Sequence, residues 1–224
     1  MDISRIDYLG LDRVLKRGSG DIIIEQDDAL LIRDRISGAY LLACENTDAG
    51  SPLIERYIGN DCDLLMVSDY NLGNAAFEKF GFSQKLECFQ FAYYGKKPSG
   101  KIGLIFRTAN ANDLTMLTDC YRMISPEEME KAVSRKTVQL GYYQNCLIGF
   151  IGEHLEGSIG ILYVFPEYRN RGFGAALQTH LIAETMDKGM IPFGQVEKGN
   201  LASLNLQKKI EMTQSENLIV WMWK

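Results

Sequence analysis

Leu162-Tyr163-Val164-Phe165-Pro166-Glu167-Tyr168-Arg169-Asn170-Arg171-Gly172-Phe173-Gly174-Ala175-Ala176-Leu177 decides how this chain is read. An apolar run from Ser158 to Phe165, with the character of a buried strand, stops at Pro166. A basic loop follows. From about Gly172 to Lys188, apolar residues recur at spacings of three and four, the period of a helix, which Gly189 stops. The physics of such a junction is anion capture. Glycines let the backbone approach a ligand closely, the first N–H groups of a helix have no partner within it, and the peptide dipoles place positive potential there. Arg169 and Arg171 add two cations, so the loop suits a diphosphate. The competing reading is a glycine-rich surface turn.

Spacing narrows the choice of diphosphate. A Walker loop needs Gly-x-x-x-x-Gly-Lys-Ser/Thr, which is absent, and in a dinucleotide fingerprint Leu177 would have to be Gly or Ala. Val164-x-Pro166-x-x-Arg169-x-x-Gly172-x-Gly174, by contrast, resembles the acyl-CoA pyrophosphate loop of the GNAT superfamily of N-acetyltransferases. A second stretch, Val196 to Leu206, resembles the next family segment, in which a strand leads to a helix capped by Asn200 with Ser203 three residues on, beside the pantetheine arm. Asn200 is equally a plain helix N-cap. The run Gly189 to Glu197 and the closing Trp221 to Trp223 look most like the glycine N-acyltransferase-like branch. Together these cover roughly Arg107 to Lys224.

The resemblance implies an α/β (α+β) fold with a mixed central sheet flanked by helices, preceded by a smaller GNAT-like half. It also implies acetyl-CoA as co-substrate, a small-molecule amine or amino acid as acceptor, and no metal. The donor would contact Leu162, Tyr163, Val164, Arg169, Asn170, Arg171, Gly172, Phe173, Gly174, Ala175, Asn200 and Ser203. It would lie in a V-shaped opening between two splayed strands, Ile159 to Phe165 and Ile191 to Val196, with backbone N–H near Val164 facing the oxyanion. One departure stands out. Where many members carry a tyrosine that protonates the departing thiolate, this chain has Gln207, and an amide is no general acid. The alternative is therefore a catalytically inactive CoA-binding regulatory or interaction protein.

For the proton of the acceptor amine the candidates are Glu153 and Glu156, at the turn entering the key strand, and Glu197 at the end of its partner; each also reads as a solvated charge. His154 titrates near neutrality but sits in a turn, His180 lies on the apolar stripe of its helix, and Tyr163 either lines the pocket or packs in the core.

Working outward, Gly95-Lys96-Lys97-Pro98-Ser99-Gly100-Lys101 reads as a linker, which divides the chain into residues 1–97, a connection at 98–102, and 103–224. The order strand, helix, strand, helix, strand is expected twice, over Ala39 to Tyr94 and Ser158 to Trp223. The first copy ends in Phe77-Glu78-Lys79-Phe80-Gly81-Phe82 but offers only Asn46-Thr47-Asp48-Ala49-Gly50-Ser51-Pro52 in place of the loop, without arginine, and so looks like a degenerate GNAT-like unit.

At 46% hydrophobic and 24% charged, the 224 residues have the composition of a folded globular protein. The formal net charge of −5 falls wholly within residues 1–100 and gives no field for nucleic acid or an anionic membrane. No apolar stretch is long enough to span a bilayer and no secretory leader is seen, so a cytoplasmic protein, monomer or homodimer, is expected. Five widely spaced cysteines without Cys-x-x-Cys read as reduced and mostly buried.

Overall fold

The computed structural model describes every residue except Asn60, Asp61 and Lys101; the last belongs to the expected linker and lies outside the described residues. Counting strands along the chain, β1 (Gly20–Glu25), β2 (Ala29–Asp34), β3 (Tyr40–Cys44), β4 (Leu64–Val67) and β5 (Gln84–Ala92) share a seven-stranded sheet with two later ones. Between them in sequence, β6 (Ile105–Thr108), β7 (Val138–Tyr143), β8 (Cys146–Gly152) and β9 (Tyr163–Val164) form a four-stranded sheet in that order. The late members of the first sheet are β10 (Phe193–Glu197) and β11 (Thr213–Trp223), and its order is β1-β2-β3-β4-β11-β5-β10. β3 and β4 run parallel, while β1–β2, β2–β3 and β4–β11 are antiparallel. This is the mixed α/β fold that the sequence implies.

Alternation decides which face of the large sheet each helix covers. Leu31, Leu42, Leu65, Val67, Val220 and Met222 point to one face, where they meet Leu53 and Ile54 of α2 (Thr47–Tyr57) and Leu72 and Ala76 of α3 (Tyr70–Lys79). Their neighbours Leu30, Ile32, Leu41, Met66, Ile219 and Trp221 point to the other face, against Leu11 and Val14 of α1 (Leu9–Lys16). With both faces covered, β2 reads as a continuous apolar run, and each fully buried aliphatic side chain contributes about 1.5–3 kcal/mol.

In the small sheet, Val138, Leu140 and Phe150 pack against Leu117 of α4 (Leu114–Cys120) and Met129, Ala132 and Val133 of α5 (Pro126–Ser134). Ser125 caps α5 as its sequence foretells, its Oγ accepting from Glu128 N–H at 3.1 Å with Pro126 at the first helical position. The other face takes α6 (Phe173–Asp187); a Cβ on Gly141 of β7 would lie 2.6 Å from Leu177 Cδ2, so the helix rests directly on the strand. The last helix is α7 (Leu201–Lys209).

The expected order of elements occurs in both stretches, as β3-α2-β4-α3-β5 and β9-α6-β10-α7-β11. One expectation needs correction. Ser158 to Phe165 is regular strand only at Tyr163–Val164, because Gly160 and Ile161 N–H both converge on Gly152 O (3.1 and 3.2 Å) and Leu162 N–H turns back to Gly160 O (2.7 Å). The chain forms two compact units. One holds Met1–Ala92, Gln195–Leu201 and Gln214–Lys224, the other Tyr93–Gly194 and Ala202–Thr213. β11 pairs with β4, from Val220 opposite Val67 to Trp223 opposite Leu64, and so belongs with the first unit. Tyr93 N–H donates to Pro192 O (2.9 Å), and the segment after it belongs with the second.

Of the five cysteines, all free, Cys44, Cys62 and Cys88 are buried, Cys120 is half-buried and Cys146 is exposed. Among the described residues no helix is long and apolar enough to cross a membrane.

Candidate functional site

β9 is the edge of its sheet, held to β8 by a close approach that only glycine allows: a Cβ on Gly149 would lie 2.2 Å from Tyr163 O. Tyr163 pairs with Phe150, and Phe165 N–H donates to Ile148 O (3.0 Å). Strand alternation therefore turns the N–H and C=O of Val164 away from β8, toward the unpaired edge. Arg169 Nε donates to that carbonyl at 3.0 Å, which leaves the Val164 N–H as the donor on the open side. Val164 N–H thus faces the open side of β9, whereas Leu162 N–H is engaged by Gly160 O.

Pro166 to Tyr168 make one 3₁₀ turn, after which Asn170 (φ 59°) and Gly172 (φ 87°) are left-handed and swing the chain into α6. Gly172 is the N-cap and contributes no side-chain cap, so the N–H groups of Gly172, Phe173, Gly174 and Ala175 have no partner within the helix. Arg169 lies over the Tyr163 ring at 5.4 Å, and Arg171 over Tyr168 and Phe173 at 5.8 and 5.5 Å. These stacks hold both guanidinium groups against the loop. Gly172 is required by its backbone angle, but Gly174 is not required by packing: its Cβ would meet nothing closer than Leu206 Cδ2 and Val164 Cγ2 at 3.8 Å. A Cβ at 174 would sit at ordinary van der Waals distance from both, so the glycine leaves the backbone bare without its neighbours demanding it.

Asn200 lies in the turn before α7 and belongs with the first unit, whereas Ser203, half-buried, belongs with the second. Gln207 is buried and forms a reciprocal amide pair with Gln178 of α6, at 2.7 and 3.3 Å, so its side chain is spent on the contact between α6 and α7. Within the second unit Ile159 N–H of one segment of the expected opening donates to Phe193 O of the other at 2.7 Å. Beyond it, Tyr163–Val164 belong to the small sheet and β10 to the large one.

The candidate acids part company. Glu153 lines a cavity of about 420 Å³ with Leu181 and Glu184 of α6. His154, the next residue, faces the other way and brings Nδ1 to 3.2 Å from Glu128 Oε1 on α5. Glu156 is buried and accepts from Ser158 Oγ. Burial opposes the charge on His154, yet the bond to Glu128 and the charges of Glu156 and Glu128 outweigh it and raise the pKa. Tyr121, whose hydroxyl donates to Gly160 O at 3.0 Å, is raised by burial and then by the same two carboxylates. Tyr163 stacks on Phe150 (5.5 Å, 19°) and packs on the core beside α4 and α5, half-buried. His180 lies flat on Phe106 at 3.4 Å, a packing role as expected. Sequence reasoning missed Glu128 and Tyr121, which reach the turn only through tertiary packing.

The family model for FR47-like protein matches residues 139–221. Among solved structures, a Drosophila protein superposes with a TM-score of 0.67 at 18% identity, over 98% of this chain and 90% of its own. An acetyltransferase from the GNAT family of Colwellia psychrerythraea gives 0.55 at 12% identity, over 100% and 98%. The fold is that of the GNAT acetyltransferases. A GCN5-related N-acetyltransferase-like protein from Streptococcus suis agrees, with a TM-score of 0.55 at 14% identity over 99% and 97%. No curated protein matches. The FR47-like match spans β9, the loop and the whole of α6, the part of this GNAT fold where the uncapped helix start lies.

Proposed function

We propose that the chain is an acyl-CoA-dependent N-acyltransferase that moves an acetyl group from acetyl-CoA to an amine of a small molecule or amino acid. The uncapped start of α6 carries this reading: N–H groups from Gly172 to Ala175 without partners inside the helix, two arginines held on aromatic rings, and a glycine at 174 that packing does not require. A diphosphate supplies the negative charge that such a start lacks. In the reaction, the acceptor nitrogen bonds to the thioester carbon while the C–S bond breaks. Val164 N–H, on the open edge of β9, is suited to hold the carbonyl oxygen as it gains charge; donors of this kind are worth about 10²–10³ in rate. Glu156, buried and bonded by Ser158 where the chain enters the strand, is better suited than Glu153 to take the amine proton. The thiolate takes its proton from solvent, since Gln207 is paired with Gln178.

Arg169→Ala with Gly172→Glu should abolish calorimetric binding of acetyl-CoA; undiminished binding would sink the assignment. In a broad amine panel, at least one acceptor should release CoA, read as free thiol. The buried Gln178–Gln207 pair favours a second reading, a CoA-binding protein without catalysis, which tight binding with silence across that panel would support.

A further inference from the structure

At the far end of α6 from the arginine loop lies the cavity of about 420 Å³ that Glu153 lines, inside the size range of small-ligand sites. Its lining comes wholly from the second unit. The rise of a helix puts Glu184 roughly 18 Å from Gly172, so the cavity stands apart from the uncapped helix start. Glu184 and Lys188 enter from the end of α6, beside buried Leu181. Lys136 enters from the left-handed turn (φ 60°) that closes α5, and Glu153 from the residue after β8. The two glutamates are half-buried and the two lysines exposed, which sets acid inside and base at the rim.

What sets this cavity apart is that its opposite charges do not pair. Glu184 and Lys188 stand at i, i+4, the spacing at which such residues join on a helix, yet among the described residues neither Lys188 nor Lys136 has a carboxylate partner. The remaining polar groups are engaged elsewhere. Asp187 is held at both oxygens by Lys97 Nζ at 2.6 Å, Thr137 Oγ1 donates to Ala132 O (3.0 Å), and Gln139 Nε2 donates to Thr108 Oγ1 (3.2 Å). Glu184 Oε1 stands 3.5 Å from His180 Nε2, a buried nitrogen without a hydrogen-bond partner. Burial lowers the His180 pKa against the pull of Glu184, so at neutral pH the ring leaves that carboxylate charge uncancelled.

We propose that this cavity binds a zwitterion, a free amino acid or short peptide, with its ammonium at Glu184 and Glu153 and its carboxylate at Lys136 and Lys188. A half-buried carboxylate without a donor gains most from an ammonium brought to it, and charge-assisted bonds of this kind are the strong ones. With Asp187 neutralised by Lys97, two carboxylates and two ammonium groups remain in the lining. A ligand charged in one sense only meets repulsion at one end; a ligand with both charges meets none. The site is independent of the donor reading above.

Calorimetry of the full chain against the twenty free amino acids and glycylglycine, without acyl-CoA, tests this. At least one should bind with a Kd below about 1 mM. Its N-acetyl derivative, which lacks the ammonium, and its primary amide, which lacks the carboxylate, should each bind at least about tenfold more weakly. Glu184→Gln should weaken the parent ligand by a similar factor, and so should Lys136→Ala with Lys188→Ala, whose side chains are exposed and whose melt should not change. Silence across the panel overturns the proposal. So does binding that survives in the folded variants, which would place the ligand elsewhere, or 1,4-diaminobutane binding as tightly as the amino acid. Arg169→Ala with Gly172→Glu should leave this titration unchanged, so failure here and failure of the donor reading are told apart.

Discussion

At the end of β3 the chain enters α2 through Glu45-Asn46-Thr47-Asp48-Ala49; at the end of β9 it enters α6 through Arg171-Gly172-Phe173-Gly174-Ala175. Both are helices of three turns or more that follow a strand. In the first, Asn46 is the N-cap and its side chain accepts from Ala49 N–H at 3.0 Å, while Asp48 sets a carboxylate in the first turn. The helix start is satisfied by its own chain. In the second, the cap is Gly172, the corresponding first-turn position is Gly174, and the nearby charges are arginines. One junction has spent its positive potential on folding, and the other has kept it available. The proposed donor site rests on that difference more than on the order of strands and helices.

The comparison can be broken directly. Gly174→Asp gives α6 the first-turn carboxylate of α2 and should abolish acetyl-CoA binding by calorimetry. The same variant should melt no lower than the parent, because an acid at a helix start contributes about 0.3–1 kcal/mol and glycine is lost from a helix. A matching loss of stability would mean that Gly174 serves packing instead. Next in size, Asn46→Ala removes the cap of α2 and should cost about 1 kcal/mol in denaturant unfolding, with acetyl-CoA binding unchanged; weakened binding would tie the first junction to the donor. The smallest effect is a pH dependence confined to the second unit. The carboxylates around His154 raise its folded pKa above the ordinary 6.5, so its ionisation stabilises fully below the unfolded value and fades as pH rises through the folded one. Glu128→Gln should shrink the difference between melts at about pH 6 and about pH 9. An identical difference would remove Glu128 from the account.

What was legible in the sequence was local. The cap at Ser125, the helix from Phe173 to Asp187 and the uncapped Gly172 follow from short-range chemistry, and all stand where residue type and period put them. What escaped depends on distant partners. The irregular Ser158–Leu162 stretch has the composition of a strand, and it is broken by the convergence of two N–H groups on Gly152 O and the turn of Leu162 N–H back to Gly160 O. His154 meets Glu128 across 26 residues of sequence, and Lys97 meets Asp187 across 90, distances at which no periodicity speaks. Glycine, proline and lysine near residue 98 describe a flexible chain equally well whether it hangs free or lies along a helix.

The position of β11 has a consequence for how the molecule is made. It lies between β4 and β5, so the first unit's sheet has a missing middle strand until residues 213–223 exist, long after β5 has been synthesised. At cellular rates the intervening residues take on the order of ten seconds to add, during which two strand edges wait unpaired. The nascent chain must therefore complete its second unit first and its first unit last, reversing the order in which the ribosome delivers them.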